Sequence, residues 1–408
     1  MERLVGSPQH YAWGSTTMIP QLLGETQPAD QPLAELWFGA HPANPSRVET
    51  TTGTLSLLTR IEADPDAQLG SGIDRLPFLV KILAAANPLS LQAHPSKQQA
   101  EVGFAAENAS GIPVDSPQRN FRDDNHKPEL LIALTDFRAL AGFRPVNEIR
   151  QLFAAFSCPE LDTYALMVDG AEDESLRALF TTWISLPPAA ADRLIAALLA
   201  QVERYGADHR DGAGGWIGVA GAVFTRLVAD YPHDVGVLVS LLLSVIDLAP
   251  GEAMFIPAQQ LHSYVHGLAV EVQANSDNVV RGGLTAKHVD VPALVNLLSF
   301  TSLPDPRVSI DAAGQFGLPT REFAVQRVDT RGTGGGRGPI AVDISAPGPR
   351  IVVCVDGAQT FTASAAAAAT AAAAIELRPG AGLWSPASDG PLSATGEGIS
   401  FVVTAPVS

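Results

Sequence analysis

Cysteine is scarce in this sequence, and its scarcity excludes two kinds of structure. Among 408 residues only Cys158 and Cys354 are cysteines, far apart in the chain and without any Cys-x-x-Cys spacing. A disulfide framework and a thiolate zinc finger are therefore excluded, and the composition fits a reducing cytosol.

Long hydrophobic runs and an excess of positive charge are also missing. The most apolar run, VGVLVSLLLSVI at 235–246, has about a dozen residues, whereas a membrane-spanning helix needs about 20. The N-terminal stretch MERLVGSPQHYAWG has no apolar segment of the kind found in secretion signals. The formal net charge of -17 argues against nucleic acid or an anionic membrane as a partner. We therefore expect a cytoplasmic protein in which the 235–246 run is a buried core segment.

What is present is typical of a globular protein of two or three domains, with 46% hydrophobic and 17% charged residues. Up to about residue 145 the chain is rich in proline, glycine and short apolar runs. There, LPFLVKILAA (76–85) and LSLQAHP (89–95) predict buried strands. Between about 147 and 232, apolar residues recur at i, i+3, i+4 and i+7, which predicts a block of amphipathic helices.

Strand character returns after residue 235 and continues to the C-terminus. Two segments interrupt it: the glycine-rich TRGTGGGRGP (330–339), which predicts a linker or mobile loop, and the alanine-rich 365–377, whose propensity alone predicts a helix. The order of β-rich, helical and again β-rich regions predicts a mainly β protein with small antiparallel, jelly-roll barrels and a helical insertion.

One polar row follows a predicted strand in SLQAHPSK (90–97). Because side chains alternate along a strand, Ser90, Gln92 and His94 share one face, while Leu91 and Ala93 face the opposite wall. An inward polar row needs partners. The alternative is a strand whose polar face meets water.

A second cluster lies in DNHKPEL (124–130). Pro128 keeps the preceding backbone extended, so Lys127 and Glu129 share one face and His126 lies on the other. Glu129 is therefore a better metal ligand than His126. The alternative is a surface carboxylate paired with Arg122 or Lys127.

The third cluster is LHSYVHG (261–267), where Tyr264 and Val265 favour a strand. On a strand, His262 and His266 share a face but lie about 13 Å apart, so at most one of them binds a given metal ion. The alternative is two partly exposed histidines near a turn.

The fourth is EVQANSDNVVRGGLTAKHVD (271–290), with predicted turns at Asn275–Asn278 and at Gly282-Gly283. Arg281 precedes the two glycines, so a ligand can approach it closely, and with Lys287 it offers positive charge for a phosphate. The alternative is a surface hairpin. Together, Gln92, His94, Glu129 and His262 form an N/O set suited to zinc or another divalent ion.

These motifs resemble the type I phosphomannose isomerases, a zinc-dependent family of cupin enzymes also called mannose-6-phosphate isomerases. The resemblance covers most of residues 9–290. It rests on QHYAWGS (9–15), AELWFGAHPANPS (34–46), LPFLVKILAAANPLSLQAHPSK (76–97), DDNHKPELLIALTDFRALAGFRP (123–145), YPHDVGVLVSLLLSVIDLAPGEAMFIPAQQLHSYVHG (231–267) and EVQANSDNVVRGGLTAKHVD (271–290). One departure is Ser96, which stands where the family usually has Asp.

The resemblance implies one Zn²⁺ per chain, bound by Gln92, His94, Glu129 and His262, with Arg281 as the catalytic arginine. It also implies two cupin barrels and a helical domain: a catalytic barrel from residues 1–146 and 233–320, a helical domain at 147–232 and a second barrel at 321–408. The alanine-rich run would then lie in the second barrel.

The implied reaction interconverts mannose 6-phosphate and fructose 6-phosphate through a cis-enediol, which requires proton removal at C2 and return at C1. Glu271 and Lys127 are both candidates for moving the proton. Arg281 stabilises the enediolate or anchors the phosphate. We expect substrate contacts from five further residues: Ser90, Lys97, Tyr264, Asp277 and Lys287.

The expected partner is a sugar phosphate, bound by a monomer. Two rival hypotheses are a non-catalytic metal cupin that binds or senses a sugar phosphate, and another metal-cupin enzyme such as a dioxygenase.

Overall fold

Two antiparallel sheets and a group of helices make up the protein, which confirms the mainly β prediction. The structure, a computed structural model, describes residues 1–50, 53–209, 214–332, 341–363 and 374–405. Its strands are β1 Glu2–Val5, β2 Ser7–Gln9, β3 Glu35–Phe38, β4 Arg47–Thr50, β5 Gly53–Ser56, β6 Phe78–Ala85, β7 Leu91–Ala93, β8 Glu129–Ala133, β9 Phe137–Phe143, β10 Leu243–Leu248, β11 Ala253–Ile256, β12 His262–Ala274, β13 Val280–Gly283, β14 Arg307–Val308, β15 Ala324–Asp329, β16 Val342–Ile344, β17 Arg350–Ala363, β18 Ala374–Leu377, β19 Gly382–Ser385 and β20 Leu392–Thr404.

The helices are short near the N-terminus and long in the middle of the chain. They are α1 Met18–Leu22, α2 Leu57–Ala63, α3 Pro65–Leu69, α4 Lys97–Ala109, α5 Val146–Phe156, α6 Asp162–Ala165, α7 Glu172–Ile184, α8 Pro188–Asp208, α9 Gly215–Asp230, α10 Gly236–Ser240 and α11 Val291–Leu297, with 3-10 turns at Pro159–Leu161 and Leu166–Val168.

The first sheet has 11 strands and carries the polar clusters described above. Its main path runs β14-β11-β8-β12-β6-β3-β2, and β7, β9, β10 and β13 join it from the side. The long strand β12 pairs with β6, β7, β8 and β9. Most of the polar motifs therefore meet on or beside β12.

The second sheet has nine strands and combines the two ends of the chain. Its main path runs β15-β20-β17-β19-β1-β4-β5, with Glu2 of β1 opposite Trp384 of β19. Phe38 and Val80 of the first sheet belong to the same buried cluster as Ile351 and Trp384 of the second. The two sheets thus share a core. Strands β1, β4 and β5 lie within residues 1–146, the region predicted for the first barrel, but they pair within the second sheet.

The predicted helical block is confirmed by α5, α7, α8 and α9. The apolar spacing in α5 buries Ile149, Leu152 and Phe156, and α8 begins at Pro188, whose fixed φ suits a first turn. Within the described ranges no single helix is both long and apolar enough to span a bilayer. Only α7 and α8 taken together meet that criterion by length and composition, and they are bent by 111°.

Several segment predictions are refined by the structure. The 235–246 run is buried, as expected, and forms α10 and the start of β10. In the alanine-rich run the helix prediction is wrong for Ala374–Leu377, which pairs with β17 as a strand. Residues 364–373 and most of the glycine-rich segment, 333–340, lie outside the described residues.

The predicted turn at Gly282-Gly283 is also wrong, because both residues belong to β13. Gly283 has φ +119, and a Cβ there would lie 2.7 Å from the Cα of Gly236. The glycine therefore permits close backbone packing against α10.

Candidate metal centre and its cavity

Three buried side chains converge at the centre of the first sheet. The ligand atoms of His94, Glu129 and His262 all lie within 4.8 Å of one another. Glu129 Oε1 is 3.3 Å from His94 Nε2, and Glu129 Oε2 is 3.2 Å from His262 Nε2. Each of the three is at most 2% exposed. The group has the size and donor types of a metal-binding site.

Strand register places Gln92 and Arg281 beside this group. In β7, Gln92 lies opposite His262 of β12 on one side and opposite Arg281 of β13 on the other. The Gln92 side-chain amide is 3.3 Å from His262 Nε2. Gln92, in the three-residue strand β7, is thereby fixed between His262 and Arg281.

Backbone carbonyls orient the two imidazoles. His94 Nδ1 lies 2.6 Å from the carbonyl of Asn278, and His262 Nδ1 lies 3.1 Å from that of Gln260. Because a carbonyl only accepts hydrogen bonds, each Nδ1 carries the proton and each Nε2 turns a lone pair towards Glu129. This orientation by a backbone acceptor is common among metal-binding histidines.

Three buried polar atoms at the centre form no hydrogen bond in the described structure, although Lys127 Nζ lies 3.1 Å from one of them, Glu129 Oε1. They are His94 Nε2 and both carboxylate oxygens of Glu129. Burying such acceptors face to face is costly unless a cation lies between them. Two imidazoles and a carboxylate are common zinc ligands, so the residues present fit zinc.

Charge and burial set the protonation of this group. Burial lowers the pKa of His94 to about 4. Burial alone would raise the pKa of Glu129, but Lys127, whose Nζ is 3.1 Å from Oε1, and His94 hold it well below its usual range. The ligands are therefore a neutral imidazole and an ionised carboxylate at neutral pH.

A second buried network lies on the same face of the sheet. Across neighbouring strands, Trp37 is opposite Lys81, and Lys81 is opposite Glu271. Glu271 accepts hydrogen bonds from Lys81 Nζ at 2.8 Å and from the Tyr264 hydroxyl at 2.7 Å. Glu35 Oε1 is 3.4 Å from Lys81 Nζ.

The donors of this network keep their protons. Burial alone would lower the pKa of Lys81, but the carboxylates of Glu271 and Glu35 raise it. Burial and the negative charge of Glu271 raise the pKa of Tyr264 well above its usual value. The carboxylates of Glu271 and Glu35 are thus the hydrogen-bond acceptors of this network.

Both networks border one cavity of about 790 Å³. Its wall includes nine of the residues predicted to act in metal binding, catalysis or substrate binding: Ser90, Gln92, Lys127, Glu129, Tyr264, Glu271, Asp277, Arg281 and Lys287. Residues from four separate motifs are therefore brought to one place.

Lys97 is placed elsewhere, contrary to the expectation that it contacts the substrate. It starts helix α4, and its Nζ is 2.8 Å from the carbonyl of Asp124 and 3.6 Å from the Glu101 carboxylate. Ser96, the departure noted in the sequence, caps the same helix: its side chain accepts from the Gln99 backbone amide in a capping box. Serine and aspartate are both favourable at that position.

The two remaining histidine candidates lie outside the buried group. His126 Nε2 contacts Glu322 Oε1 at 2.7 Å, on the opposite side of the extended chain from Glu129. His266 is exposed, four residues along β12 from the buried His262. The position of His126 follows from strand alternation. The sequence predicts that His266 shares the face of His262, but it lies at the surface, because the pairing of β12 with β9 shifts register between Tyr264 and His266.

Sequence reasoning did not assign several charged or titratable residues of the cavity wall to the site, among them Glu35, His41, Lys81 and Arg122. A signal existed for Lys81, because a charged residue in the apolar run FLVKILAA is almost never buried without a partner. His41 Nε2 is 3.2 Å from Asp277 Oδ1. That contact joins residues 236 positions apart and had no local signal.

Comparison with known proteins identifies relatives of this chain. A profile of the phosphomannose isomerase type I catalytic domain matches residues 1–146. The mannose-6-phosphate isomerase of Escherichia coli (strain K12) is 37% identical over 98% of this chain and 98% of its own. The Homo sapiens enzyme is 31% identical over 80% of this chain and 81% of its own.

Solved structures show the same relationship. Mannose 6-phosphate isomerase from Salmonella typhimurium, bound to its substrate fructose 6-phosphate and zinc, is 34% identical with a TM-score of 0.86 and full coverage of both chains, 100% each. A zinc-bound holo structure of mannose 6-phosphate isomerase also has a TM-score of 0.86 and 34% identity, covering 100% of this chain and 99% of that one. By sequence over its whole length and by fold, the chain belongs to the mannose-6-phosphate isomerase family.

Proposed function

We propose that this protein is a zinc-dependent isomerase that interconverts mannose 6-phosphate and fructose 6-phosphate. The observation that carries the proposal is the buried His94–Glu129–His262 group, which shares one cavity with the Glu271 network. The relatives with this name align over nearly the whole chain. Metal ligands and a proton acceptor in one cavity are what the reaction requires.

His94, Glu129 and His262 would hold the zinc ion, with the side-chain oxygen of Gln92 as the fourth protein ligand. A bound zinc ion supplies a Lewis acid that polarises the oxygens of the open-chain sugar. The chain contributes the orientation of each ligand, through the carbonyls of Asn278 and Gln260.

Glu271 is the group we assign to proton transfer between C1 and C2. It is 2% exposed and lines the cavity. Lys81 and Tyr264 fix its carboxylate by hydrogen bonds and do not compete for the proton, because both stay protonated. Of the two candidates from the sequence, Glu271 suits the role of base.

Lys127 and Arg281 are donors towards the same cavity. Lys127 is held by its ion pair with Glu129 at 3.1 Å, and Arg281 is held opposite Gln92 by strand register. Fixed donors near the metal ligands stabilise negative charge that develops on the substrate oxygens. We assign the remaining substrate contacts to Ser90, Tyr264, Asp277 and Lys287.

Finer features of the architecture are also part of the proposal. We assign the two sheets to two cupin barrels, the segment 147–232 to a helical domain and 321–408 to the second barrel, with strands β1, β4 and β5 added to the latter. A cytosolic monomer remains the expectation for the protein in solution.

The Glu271→Gln variant tests the proposal, because it removes the base while keeping the shape of the side chain. We expect turnover of mannose 6-phosphate to fall at least about 100-fold, the usual contribution of a general base, with zinc content unchanged. Glu101→Gln, on the exposed side of α4, is the matched control and should retain normal activity.

Two results would contradict the proposal. An inactive wild-type holoenzyme would favour a non-catalytic cupin that binds a sugar phosphate. Activity that required dioxygen and iron would favour a dioxygenase.

A further inference from the structure

Gln273 is a buried polar side chain in the cavity wall that has no part in the two networks described above. It is 3% exposed and lines the cavity. Its side-chain oxygen, Oε1, forms no hydrogen bond with any residue that the structure describes. Buried carbonyl oxygens in native proteins nearly always accept a hydrogen bond, because leaving one without a donor is costly. This oxygen is therefore placed to accept a hydrogen bond from a molecule that enters the cavity.

Strand register places Gln273 between the metal ligands and the carboxylate proposed as the base. In β12 it lies opposite Glu129 of β8 on one side and opposite Leu79 of β6 on the other. Residues directly opposite each other in antiparallel strands have Cβ atoms about 4.5–5.5 Å apart. Glu271 lies two residues earlier in β12, so both side chains leave the strand on the same face. A substrate that reaches both carboxylates must therefore lie against Gln273.

The lysines on this face of the sheet are engaged with other groups. Lys127 Nζ lies 3.1 Å from Glu129 Oε1, and Lys81 Nζ lies 2.8 Å from Glu271 Oε2. The two carboxylates themselves can only accept hydrogen bonds while they are ionised. The donor for Gln273 therefore has to come from the ligand.

The chemistry of the open-chain sugar indicates which group that donor is. The oxygens on C1 and C2 gain negative charge as the enediol forms, so they require donors or a cation. Hydroxyl groups further along the sugar keep their protons and can donate to an amide oxygen. The C3 hydroxyl is the one nearest to the reacting carbons.

We propose that Gln273 is a substrate-binding residue whose Oε1 accepts a hydrogen bond from the C3 hydroxyl of the open-chain sugar. This inference rests on the proposed function. A site that hydrogen-bonds a substrate hydroxyl rejects an analogue without it, because the buried group of the protein is then left unpaired. Gln273 thus determines specificity beside the reacting carbons and takes no part in moving the proton.

The test is a two-by-two comparison in the zinc-loaded full-length protein. Wild type and Gln273→Met, which keeps the length of the side chain but removes the acceptor, are each assayed with mannose 6-phosphate and with its 3-deoxy analogue. In wild type, kcat/KM should be at least about fivefold lower for the 3-deoxy analogue. In Gln273→Met the two sugars should agree within about twofold, because no acceptor is left to be unpaired. Comparing two sugars on one protein cancels any loss of folded material.

Gln326→Met is the matched control. Gln326 is also buried, at 8% exposed, but it lies in β15 of the second sheet, where its side chain donates to the carbonyl of Ala313. This variant should discriminate between the two sugars as wild type does. Equal discrimination by wild type and Gln273→Met would overturn the inference and would indicate that water satisfies the amide oxygen.

A binding measurement separates this inference from the proposed function. Mannitol 6-phosphate is acyclic and keeps the C3 hydroxyl, but it has no carbonyl group to isomerise. Its dissociation constant, measured by calorimetry, should rise at least about fivefold in Gln273→Met and stay unchanged in Gln326→Met. An equal dissociation constant in Gln273→Met and wild type, or no binding to wild type, would overturn the inference. A wild type that binds this polyol but does not convert mannose 6-phosphate would overturn the proposed function instead.

Discussion

At the residue scale, the candidate site depends on two buried carboxylates, each of which is paired with a lysine. Glu129 is 1% exposed and Glu271 is 2% exposed. Each has a lysine within 3.1 Å, Lys127 for the first and Lys81 for the second. The pairing offsets part of the cost of burying charge. In the proposed function, Glu129 binds the metal and Glu271 accepts the proton.

The contrast between Glu129 and His126 gives the first prediction. Glu129→Gln removes the anionic member of the buried ligand group. Removal of a group that only orients a metal ligand typically lowers metal affinity roughly 10–100-fold. Because Glu129→Gln changes a ligand itself, the zinc affinity of this variant should fall by more than that. His126→Ala should keep zinc, because that ring contacts Glu322 instead. Metal analysis after dialysis measures both, and zinc loss confined to His126→Ala would refute the assignment.

Lys81 gives the second prediction. Lys81→Met leaves Glu271 and Glu35 buried without their cation, which should lower the free energy of unfolding by about 3–5 kcal/mol. Lys97→Met removes only exposed ion pairs and should cost less than about 1 kcal/mol. Urea unfolding of the two variants measures the difference.

The pH dependence of that loss follows from the raised pKa of Lys81. A lysine whose pKa is higher in the folded than in the unfolded state stabilises the fold fully below its unfolded pKa of about 10.4. The contribution is lost only as the pH rises through the higher folded value. The deficit of Lys81→Met should thus be equal at pH 7 and pH 9, and a deficit that vanishes by pH 9 would contradict this account.

Local rules account for much of the site. Strand alternation and the effect of Pro128 select Glu129 over His126, and the single face shared by Gln92 and His94 follows from the same rule. Contacts such as His41–Asp277 depend on the pairing of distant segments. Sequence spacing carries no information about such pairs.

At the element scale, pairing with neighbouring strands can override intrinsic helix propensity. Ala374–Leu377 pairs with β17 as a strand although alanine favours helix. The backbone hydrogen bonds to β17 and the packing on the sheet outweigh the local helix propensity. By contrast, α4 has little tertiary support: Ala100 is its one buried residue. The stability of α4 therefore depends on its N-terminal cap, Ser96.

The third prediction concerns that cap. Ser96→Ala removes the side-chain acceptor of the capping box and should destabilise α4 by about 1 kcal/mol. Ser96→Asp, which restores the residue usual in the family, should be neutral. Amide hydrogen exchange over 97–109 measures the effect directly. Equal protection in Ser96→Ala and wild type would show that the cap is not needed.

At the scale of the whole molecule, the two ends of the chain are joined in one sheet. β1 lies between β19 and β4, and the Met1 amino group contacts Asp389 at 2.8 Å. The sequence predicts β-rich regions at both ends but gives no sign that they pair. The register of β1 with β19 depends on packing between residues more than 370 positions apart.

The fourth prediction concerns the reactivity of the two cysteine thiols, which lie in different buried clusters. Cys158 packs in the helical core and Cys354 lies in β17. Burial raises the pKa of Cys158 to about 11 and also raises that of Cys354. At pH 8, below both values, the thiols are protonated, so labelling of the native protein by a thiol reagent should be slow.

Core substitutions should change the labelling of one thiol at a time. Leu4→Ala in β1, which creates a cavity costing about 2–5 kcal/mol, should accelerate the labelling of Cys354. Leu198→Ala, in the helical core with Cys158, should accelerate Cys158 instead. Mass spectrometry of labelled peptides distinguishes the thiols. Equal acceleration of both by each variant would contradict the placement of the two thiols in separate buried clusters.

The central claim is that metal held by His94, Glu129 and His262 is required for isomerisation. The most direct measurement is a titration of chelator-treated, metal-free protein with zinc, following conversion of mannose 6-phosphate to fructose 6-phosphate. We predict that the metal-free protein is inactive and that activity rises linearly to a plateau at one zinc per chain. Full activity in the metal-free protein, or no recovery when zinc is added to protein that remains folded, would contradict the account.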